Sequence, residues 1–112
     1  MSFVGGLEII GGTLMKRKDI FLDFVGKSPK SKILGTLLIG REEEYTLNDI
    51  IRATNVNRQK AYKILNDMVK KRIIIPSNKV KNIQFYKLNE DKAEIKLLIN
   101  FFDKLIGMRI NK

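Results

Sequence analysis

Residues 46–72, TLNDIIRATNVNRQKAYKILNDMVKKR, decide the fold of this chain. Apolar residues recur at helical spacing in both halves of the stretch, at Leu47, Ile50 and Ile51 in the first half and at Ala61, Ile64, Leu65 and Met68 in the second. A stripe of this kind is typical of a helix that buries one side against a core. The stretch therefore predicts two amphipathic helices in close succession.

Only a tight corner can join these two helices. Asn55 tolerates the left-handed backbone that often ends a helix, and Val56 can fill the angle between the helices. Asn57 can cap the second helix by accepting a backbone N–H bond, and Thr46 with Asp49 is an Asp-for-Glu version of a capping box for the first. The sequence therefore predicts a helix-turn-helix.

The stretch DIIRATNVNRQKAYKIL, residues 49–65, resembles the helix-turn-helix of winged-helix transcriptional regulators, especially the small archaeal ones. Asn55 stands where that family commonly has Gly, and Asn57 stands where Ser usually caps. Ile51 replaces a small residue and Lys60 a frequent Thr. The resemblance covers residues 28–88, and it implies an α+β, mainly α fold in which a two-stranded wing follows the helices.

A hairpin is indeed predicted directly after the second helix. The β-branched run at residues 73–75 should end at Pro76, which has no N–H to donate to a strand ladder. Residues 84–88 alternate well enough for a second strand, and residues 77–83 form a polar tip between the two. In the resembled family this hairpin is the wing, and its tip commonly touches the DNA backbone or the minor groove.

An N-terminal extension, residues 1–27, precedes the winged helix-turn-helix domain of residues 28–88. Its first 14 residues contain two Gly-Gly pairs, which allow a short strand or a mobile arm. A short amphipathic helix is predicted over residues 15–25, ended by Gly26. Ser28 and Pro29 then suit the start of the next helix, because Ser is a favoured cap and Pro fits the first helical position.

The C-terminal segment, residues 89–112, is predicted to form a dimerisation helix that begins at Asn89 and ends at Gly107. Its apolar residues occupy more than the ~100° face that a surface helix of a monomer needs. We therefore expect a homodimer, with an interface formed by Ile95, Leu98, Phe101, Phe102 and Leu105. In the alternative, the helix at residues 15–25 folds back over the surplus and the chain is a monomer.

Composition excludes several classes of function. Histidine and cysteine are both absent, which excludes zinc fingers, disulfides, thiolate chemistry and imidazole catalysis. The sequence contains no nucleophile–base pair, phosphate loop or metal-ligand cluster, so we expect no enzyme activity, metal or cofactor. No apolar run approaches the ~20 residues of a membrane span, and the N-terminus lacks the order of a secretion signal, so we expect a cytoplasmic protein.

The net charge of +10 indicates a polyanionic partner. Residues 58–72 carry +5 and residues 73–88 carry +3, while six basic and two acidic residues give +4 to residues 15–32. By contrast, residues 33–57 carry −2. The excess positive charge therefore falls on the elements that face DNA in a winged helix.

Residues that read bases are expected at the outward-facing start of the second helix, at Arg58, Gln59, Tyr62 and Lys63. Arg can hold guanine and Gln adenine through two hydrogen bonds, each pair worth roughly 1–3 kcal/mol of discrimination. Contacts to the DNA backbone are expected from Lys27, Ser28, Lys30, Lys32, Lys60, Lys79 and Lys81. We therefore predict sequence-specific binding of double-stranded DNA and transcriptional regulation, with residues 58–71 in the major groove.

Two other uses of the same fold remain open. One is a non-specific architectural or replication-associated DNA-binding protein, and the other is a winged helix that only contacts proteins. The varied side chains of Arg58, Gln59 and Tyr62 favour specific binding over both, because uniform lysine would suffice for phosphate contacts. No residue pattern identifies a small-molecule effector.

Overall fold

The computed structural model describes the backbone of residues 3–4, 7–10 and 13–110 and the side chains of residues 16–109. These residues form an α+β, mainly helical arrangement. The elements are, in chain order, β1 (Phe3–Val4), β2 (Leu7–Ile10), β3 (Thr13–Lys16), α1 (Arg17–Val25), α2 (Pro29–Ile39), α3 (Leu47–Thr54), α4 (Arg58–Lys70), β4 (Ile74–Val80), β5 (Ile83–Leu88) and α5 (Ala93–Ile110).

The predicted turn between two capped helices, α3 and α4, is confirmed. Thr46 Oγ1 accepts the backbone N–H of Asp49 at 3.1 Å, and Asp49 Oδ2 accepts the backbone N–H of Thr46 at 3.0 Å, which completes the capping box. Asn55 ends α3 in the left-handed conformation, with φ 59° and ψ 23°. Asn57 Oδ1 accepts the backbone N–H of Lys60 at 2.8 Å and so caps α4.

A single core joins α1 and α5 to the elements between them. Its buried members come from α1 (Ile20, Phe21, Leu22), α2 (Ile33, Leu37, Leu38), α3 (Ile50), the turn (Val56), α4 (Ala61, Leu65, Met68), the hairpin (Ile74, Leu88) and α5 (Ile95, Phe102, Ile106). Each fully buried large aliphatic or aromatic side chain contributes about 1.5–3 kcal/mol. The flanking helices are therefore part of the packing that holds α3 and α4 in place.

Strands β4 and β5 form an antiparallel hairpin that is longer than predicted. The prediction that β4 ends at Pro76 is wrong, because the strand continues to Val80 and only two residues, 81–82, turn the chain. The register shifts between Pro76 and Lys79, where a β-bulge lies. Among the described strands β4 pairs only with β5, so it offers an edge position, which tolerates the missing N–H of proline.

The N-terminal extension contains a small sheet in the order β1-β2-β3, with both pairs antiparallel. Strand β3 reaches Lys16, so the helix predicted from residue 15 begins at Arg17 instead. Gly26 ends that helix as predicted, at φ 100°, a backbone conformation that favours glycine. Of the two alternatives left open for the first 14 residues, a short strand or a mobile arm, the described strands favour the first.

Helix α5 begins later and ends later than predicted. Asn89 does not cap it, because its side-chain amide donates to the carbonyl of Arg72 at 2.9 Å and its backbone N–H donates to Ile73 at 2.9 Å. Both bonds close the base of the hairpin. Gly107 lies inside α5, where burial of the preceding turn offsets the ~1 kcal/mol that a helical glycine costs. None of the helices between residues 13 and 110 is long and apolar enough to cross a membrane.

Candidate nucleic-acid interface

The first two turns of α4 present a polar outer face. Arg58, Gln59, Lys60 and Lys63 are exposed, and the ring of Tyr62 is 55% exposed. Ala61, between them, is buried against the core. The helix is held in this orientation by its apolar stripe, because side chains three and four positions apart share one face. All four residues predicted to read bases therefore lie together on the outside of α4.

Arg58 is held by a neighbour that the sequence prediction missed. Its guanidinium donates from Nη2 to the side-chain oxygen of Asn48, in the first turn of α3. The two residues are ten positions apart in the chain, and no local pattern pairs them. The tight turn between α3 and α4 brings them together. A guanidinium fixed in this way loses less side-chain freedom when it binds a ligand.

A cleft of about 220 Å³ separates the start of α4 from the hairpin. Its walls include Asn48, Arg58 and Tyr62 on the helical side and Ile83, Gln84 and Tyr86 on strand β5. The side-chain amide of Gln84 donates to two backbone carbonyls of the hairpin, at 3.1 and 2.9 Å. The N-terminal end of α4 and the tip half of the hairpin thus border the same depression.

The segment between α2 and α3 fixes the hairpin. Tyr45 and Tyr86 exchange two backbone hydrogen bonds, at 2.8 and 2.7 Å. The carboxylate of Glu44 accepts from Ser77 Oγ and, at 2.9 and 3.1 Å, from the side-chain amide of Asn78. Contacts across more than 30 residues leave no periodic signal in the sequence.

Both lysines predicted at the hairpin tip are exposed. Lys79 pairs across the ladder with Gln84, and directly opposed residues project from the same face of a hairpin. Lys81 occupies the turn itself with φ 50°, and Asn82 follows with φ 66°. Two successive residues at positive φ are the mark of a type I′ turn, whose twist matches that of a tight hairpin. The tip is therefore narrow and positively charged.

The α2 residues predicted to contact DNA lie apart from this cleft. The Ser28 side chain caps α2 by accepting the backbone N–H of Ser31 at 3.1 Å. A hydrogen bond from Lys71 lowers the pKa of Asp67, and the positive charge of Lys30 lowers it further. Lys30 therefore lies near the last third of α4, whereas the cleft borders its first two turns. Lys27 is exposed and Lys32 is half-buried at the same end of α2.

Lys18 belongs to the positively charged residues 15–32 that we expect to face DNA, but its side chain makes contacts within the domain instead. Its Nζ donates to the carbonyl of Ala53 at 3.0 Å and to Thr36 Oγ1 at 3.3 Å. Ala53 lies in the last turn of α3, where a cation stabilises the negative end of the helix dipole. Burial lowers the pKa of the Lys18 amine. This lysine ties α1 to the end of α3, just before the turn.

The predicted dimer interface needs correction. Ile95 and Phe102 are buried in the core of the chain itself, at 3% and 2% exposure, because α1 folds back over α5. The ring of Phe102 packs edge-on against Phe21 with 5.4 Å between centroids. Leu98 and Leu105 are half-buried. Among the five residues proposed for the interface, only Phe101 counts among the exposed large apolar side chains.

A second, wider cleft of about 470 Å³ lies between the end of α2 and the second half of α5. Its walls include Ile39, Arg41 and Asp103, and the last two form an ion pair at 3.0 Å. No pattern in the sequence predicts this cleft, because its walls come from elements about 60 residues apart. No group of three or more acidic residues among the described side chains could hold a metal ion.

The α4–hairpin cleft combines apolar side chains with hydrogen-bonding groups. A guanidinium, two side-chain amides and two phenols line it, and groups of this kind can bind phosphate oxygens and base edges. Comparisons of the chain with protein-family models, with curated proteins and with solved structures found no match.

Proposed function

We propose that this chain is a sequence-specific double-stranded DNA-binding protein, a transcriptional regulator of the winged helix-turn-helix type. In this proposal α4 is the recognition helix and the β4–β5 hairpin is the wing. The observation that supports it best is the shared cleft of about 220 Å³, because Arg58 and Tyr62 of α4 stand opposite Gln84 of the hairpin. One duplex can contact both walls of that cleft.

Charge supports the same partner. Residues 58–72 and 73–88, which contain most of the cleft lining, carry +5 and +3. Each phosphate neutralised by such residues releases condensed counterions, so the affinity should fall steeply as salt rises. The lysines best placed to contact phosphates are Lys60, at the exposed start of α4, and Lys79 and Lys81, at the hairpin tip. Lys27, Lys30 and Lys32 of the α2 region then extend the contact along the backbone.

Side-chain chemistry supports specificity. Arg58 and Gln59 have forked donors that match guanine and adenine edges in the major groove. Tyr62 offers a ring for a thymine methyl and a hydroxyl for a phosphate, and Lys63 stands one position on. Asn48 already orients Arg58 in the unbound chain. A preoriented arginine favours one base step over others, because adjusting to a second step requires breaking that bond.

We also propose that the protein is a homodimer, with a corrected interface. The rings of exposed Phe24 on α1 and Phe101 on α5 contact each other at 5.5 Å, and Leu97, one turn before Phe101, is 71% exposed. These three residues are termed the α1–α5 patch. A second copy is the fitting occupant, because residues 89–112, which contain two of the three patch residues, carry only +1 and so repel another copy of this basic chain weakly. A two-fold dimer would place two α4 helices on half-sites one helical turn apart.

The dimer proposal is tested by sedimentation at micromolar concentration. Leu97→Asp should shift the wild-type dimer to monomer, because it places a charge in the centre of an apolar contact. Lys96→Asp, on the adjacent position outside the patch, is the matched control and should leave the dimer intact. A wild-type chain that sediments as one monomeric species would refute the interface.

The DNA-binding proposal is tested by fluorescence anisotropy with a site selected in vitro and with random DNA, at several salt concentrations. Lys79→Ala and Lys81→Ala should weaken binding to both DNAs alike, and each should lower the slope of log affinity against log salt by about one. Arg58→Ala and Gln59→Ala should instead reduce the preference for the selected site, by roughly 1–3 kcal/mol each.

The outcomes separate the competing functions. Equal affinity of the wild type for both DNAs would favour an architectural protein, since specific binders gain ~10³-fold or more over random DNA. Absence of any salt-sensitive binding would favour a domain that only contacts proteins. Equal effects of both pairs of substitutions on every DNA would contradict the assignment of base and phosphate contacts.

A further inference from the structure

The hairpin tip exposes an apolar pair. Val80 is 53% exposed and Ile83 is 52% exposed, and the two are direct cross-strand partners on either side of the turn. Directly opposed residues of an antiparallel pair project from the same face, so these two side chains form one small apolar ridge. In an extended strand near a solvated tip, polar residues would be the ordinary choice.

The turn keeps this ridge narrow. Lys81 and Asn82 turn the chain within two residues, both at positive φ, where Asn-Gly is the common pair. A glycine there would relieve backbone strain, but this chain places an ammonium and an amide at the tip instead. The tip therefore presents an apolar ridge, a cation and a hydrogen-bonding amide within the width of two strands, about 5 Å between backbones.

The surroundings of the ridge identify its occupant. Ile83 borders the cleft that contains Arg58 and Tyr62, so the ridge is continuous with the proposed base-reading surface. Lys79 and Lys81 flank it in sequence, and residues 73–88 carry +3 without an acidic residue. A second copy of this chain would bring positive charge against positive charge at this point. DNA complements the tip better than a second copy does, because its phosphates match the lysines and its stacked bases match the apolar ridge.

We propose that the hairpin tip enters the minor groove of an A·T-rich segment and that Val80 and Ile83 wedge against a base step and kink the duplex. The inference rests on the proposed DNA binding and deepens it. Apolar side chains of minor-groove proteins commonly wedge into a base step, unstack it and bend the duplex. A·T pairs leave the groove floor free, whereas guanine places an amino group there. A TA step is the expected position, because it unstacks most easily.

The first test measures DNA bending by energy transfer between dyes on the two ends of the selected duplex. The wild type should bend the duplex by roughly 20–90°. Val80→Thr with Ile83→Thr keeps the β-branched shapes and the strand propensity but adds hydroxyls to the ridge. This double variant should lose at least about half of the bend and bind the site ~10-fold more weakly. Ile39→Thr, a 46% exposed isoleucine at the end of α2, is the matched control and should bend DNA as the wild type does.

The second test uses only the wild-type chain, so it does not depend on how the variants fold. Replacing A·T by I·C pairs under the tip keeps the minor-groove floor open, and binding should hold within about threefold. Replacing them by G·C adds the guanine amino group and should weaken binding ~10-fold or more. Bound but straight DNA, unchanged bending by the double variant, or equal losses with I·C and G·C would each overturn the wedge. Absence of DNA binding by the wild type would instead refute the proposed function itself.

Discussion

Truncation of two adjacent phenylalanines of α5 should destabilise the protein to very different extents. Phe102 is 2% exposed and packs edge-on against Phe21, whereas Phe101 is 37% exposed and contacts Phe24. Phe102→Ala should destabilise the fold by roughly 3–5 kcal/mol, of which ~0.5–1.5 is the ring contact. At ~4 °C per kcal/mol for a domain of this size, Tm should fall by roughly 12–20 °C. Phe101→Ala should cost only about 1 kcal/mol within the monomer, chiefly the contact with Phe24.

Urea denaturation at two protein concentrations separates these effects. The loss in Phe102→Ala should be the same at both concentrations, because it lies inside one chain. The loss in Phe101→Ala should grow with concentration, because the wild type gains stability from dimerisation as concentration rises. Phe102→Leu, which keeps most of the buried volume, should lose less stability than Phe102→Ala. A neutral Phe102→Ala, or equal and concentration-independent losses for both alanine variants, would refute the packing of α1 on α5.

Three further predictions concern the supports of α3 and α4. Asn57→Ala removes the cap of α4 and should cost ~0.5–2 kcal/mol in thermal unfolding, while a retained Tm would contradict the cap. Gly35→Ala should lower the free energy of unfolding by about 1 kcal/mol or more, since its Cβ would lie 3.3 Å from the buried ring of Phe21. Gly107→Ala is the matched control, because its Cβ would meet open space, and it should raise the free energy of unfolding by ~0.5–1 kcal/mol. Burial lowers the pKa of Lys18 below the ordinary 10.5, so the unfolded chain binds that proton more tightly and stability should rise with pH towards that value. Lys18→Met should flatten this rise just below pH 10.5 in urea titrations, and an unchanged slope would contradict the assignment.

Local signals in the sequence predicted the centre of the chain well. The caps at Ser28, Thr46 and Asn57 and the left-handed Asn55 depend on residues within three or four positions, so the sequence contains all of their determinants. The apolar stripe of α4 likewise leaves one face exposed and thereby predicts which side chains face outward. The four residues expected to read bases are found on that face.

Long-range contacts account for the predictions that failed. Asn89 is a residue type that often caps helices, but its hydrogen bonds to residues 72 and 73 hold it at the base of the hairpin. The excess apolar residues of α5 can be buried either by a second copy of the chain or by another helix of the same chain. The spacing of apolar residues along α5 does not distinguish these two possibilities. In the structure, α1 packs over Phe102 and buries it, whereas Phe101 remains exposed. Asn48 with Arg58 and Glu44 with the hairpin are pairings of the same kind, set by tertiary packing.

The most direct test of the central claim is an NMR titration of isotope-labelled protein with the selected duplex. The claim is that the start of α4 and the hairpin tip form one DNA-binding surface. The backbone amide signals of residues 57–63 and 79–84 should shift together and saturate at the same DNA concentration. The amide signals of residues 97–101 should not shift as the duplex is added. Shifts confined to α1 and α5, or saturation of α4 and the hairpin at different concentrations, would contradict the account.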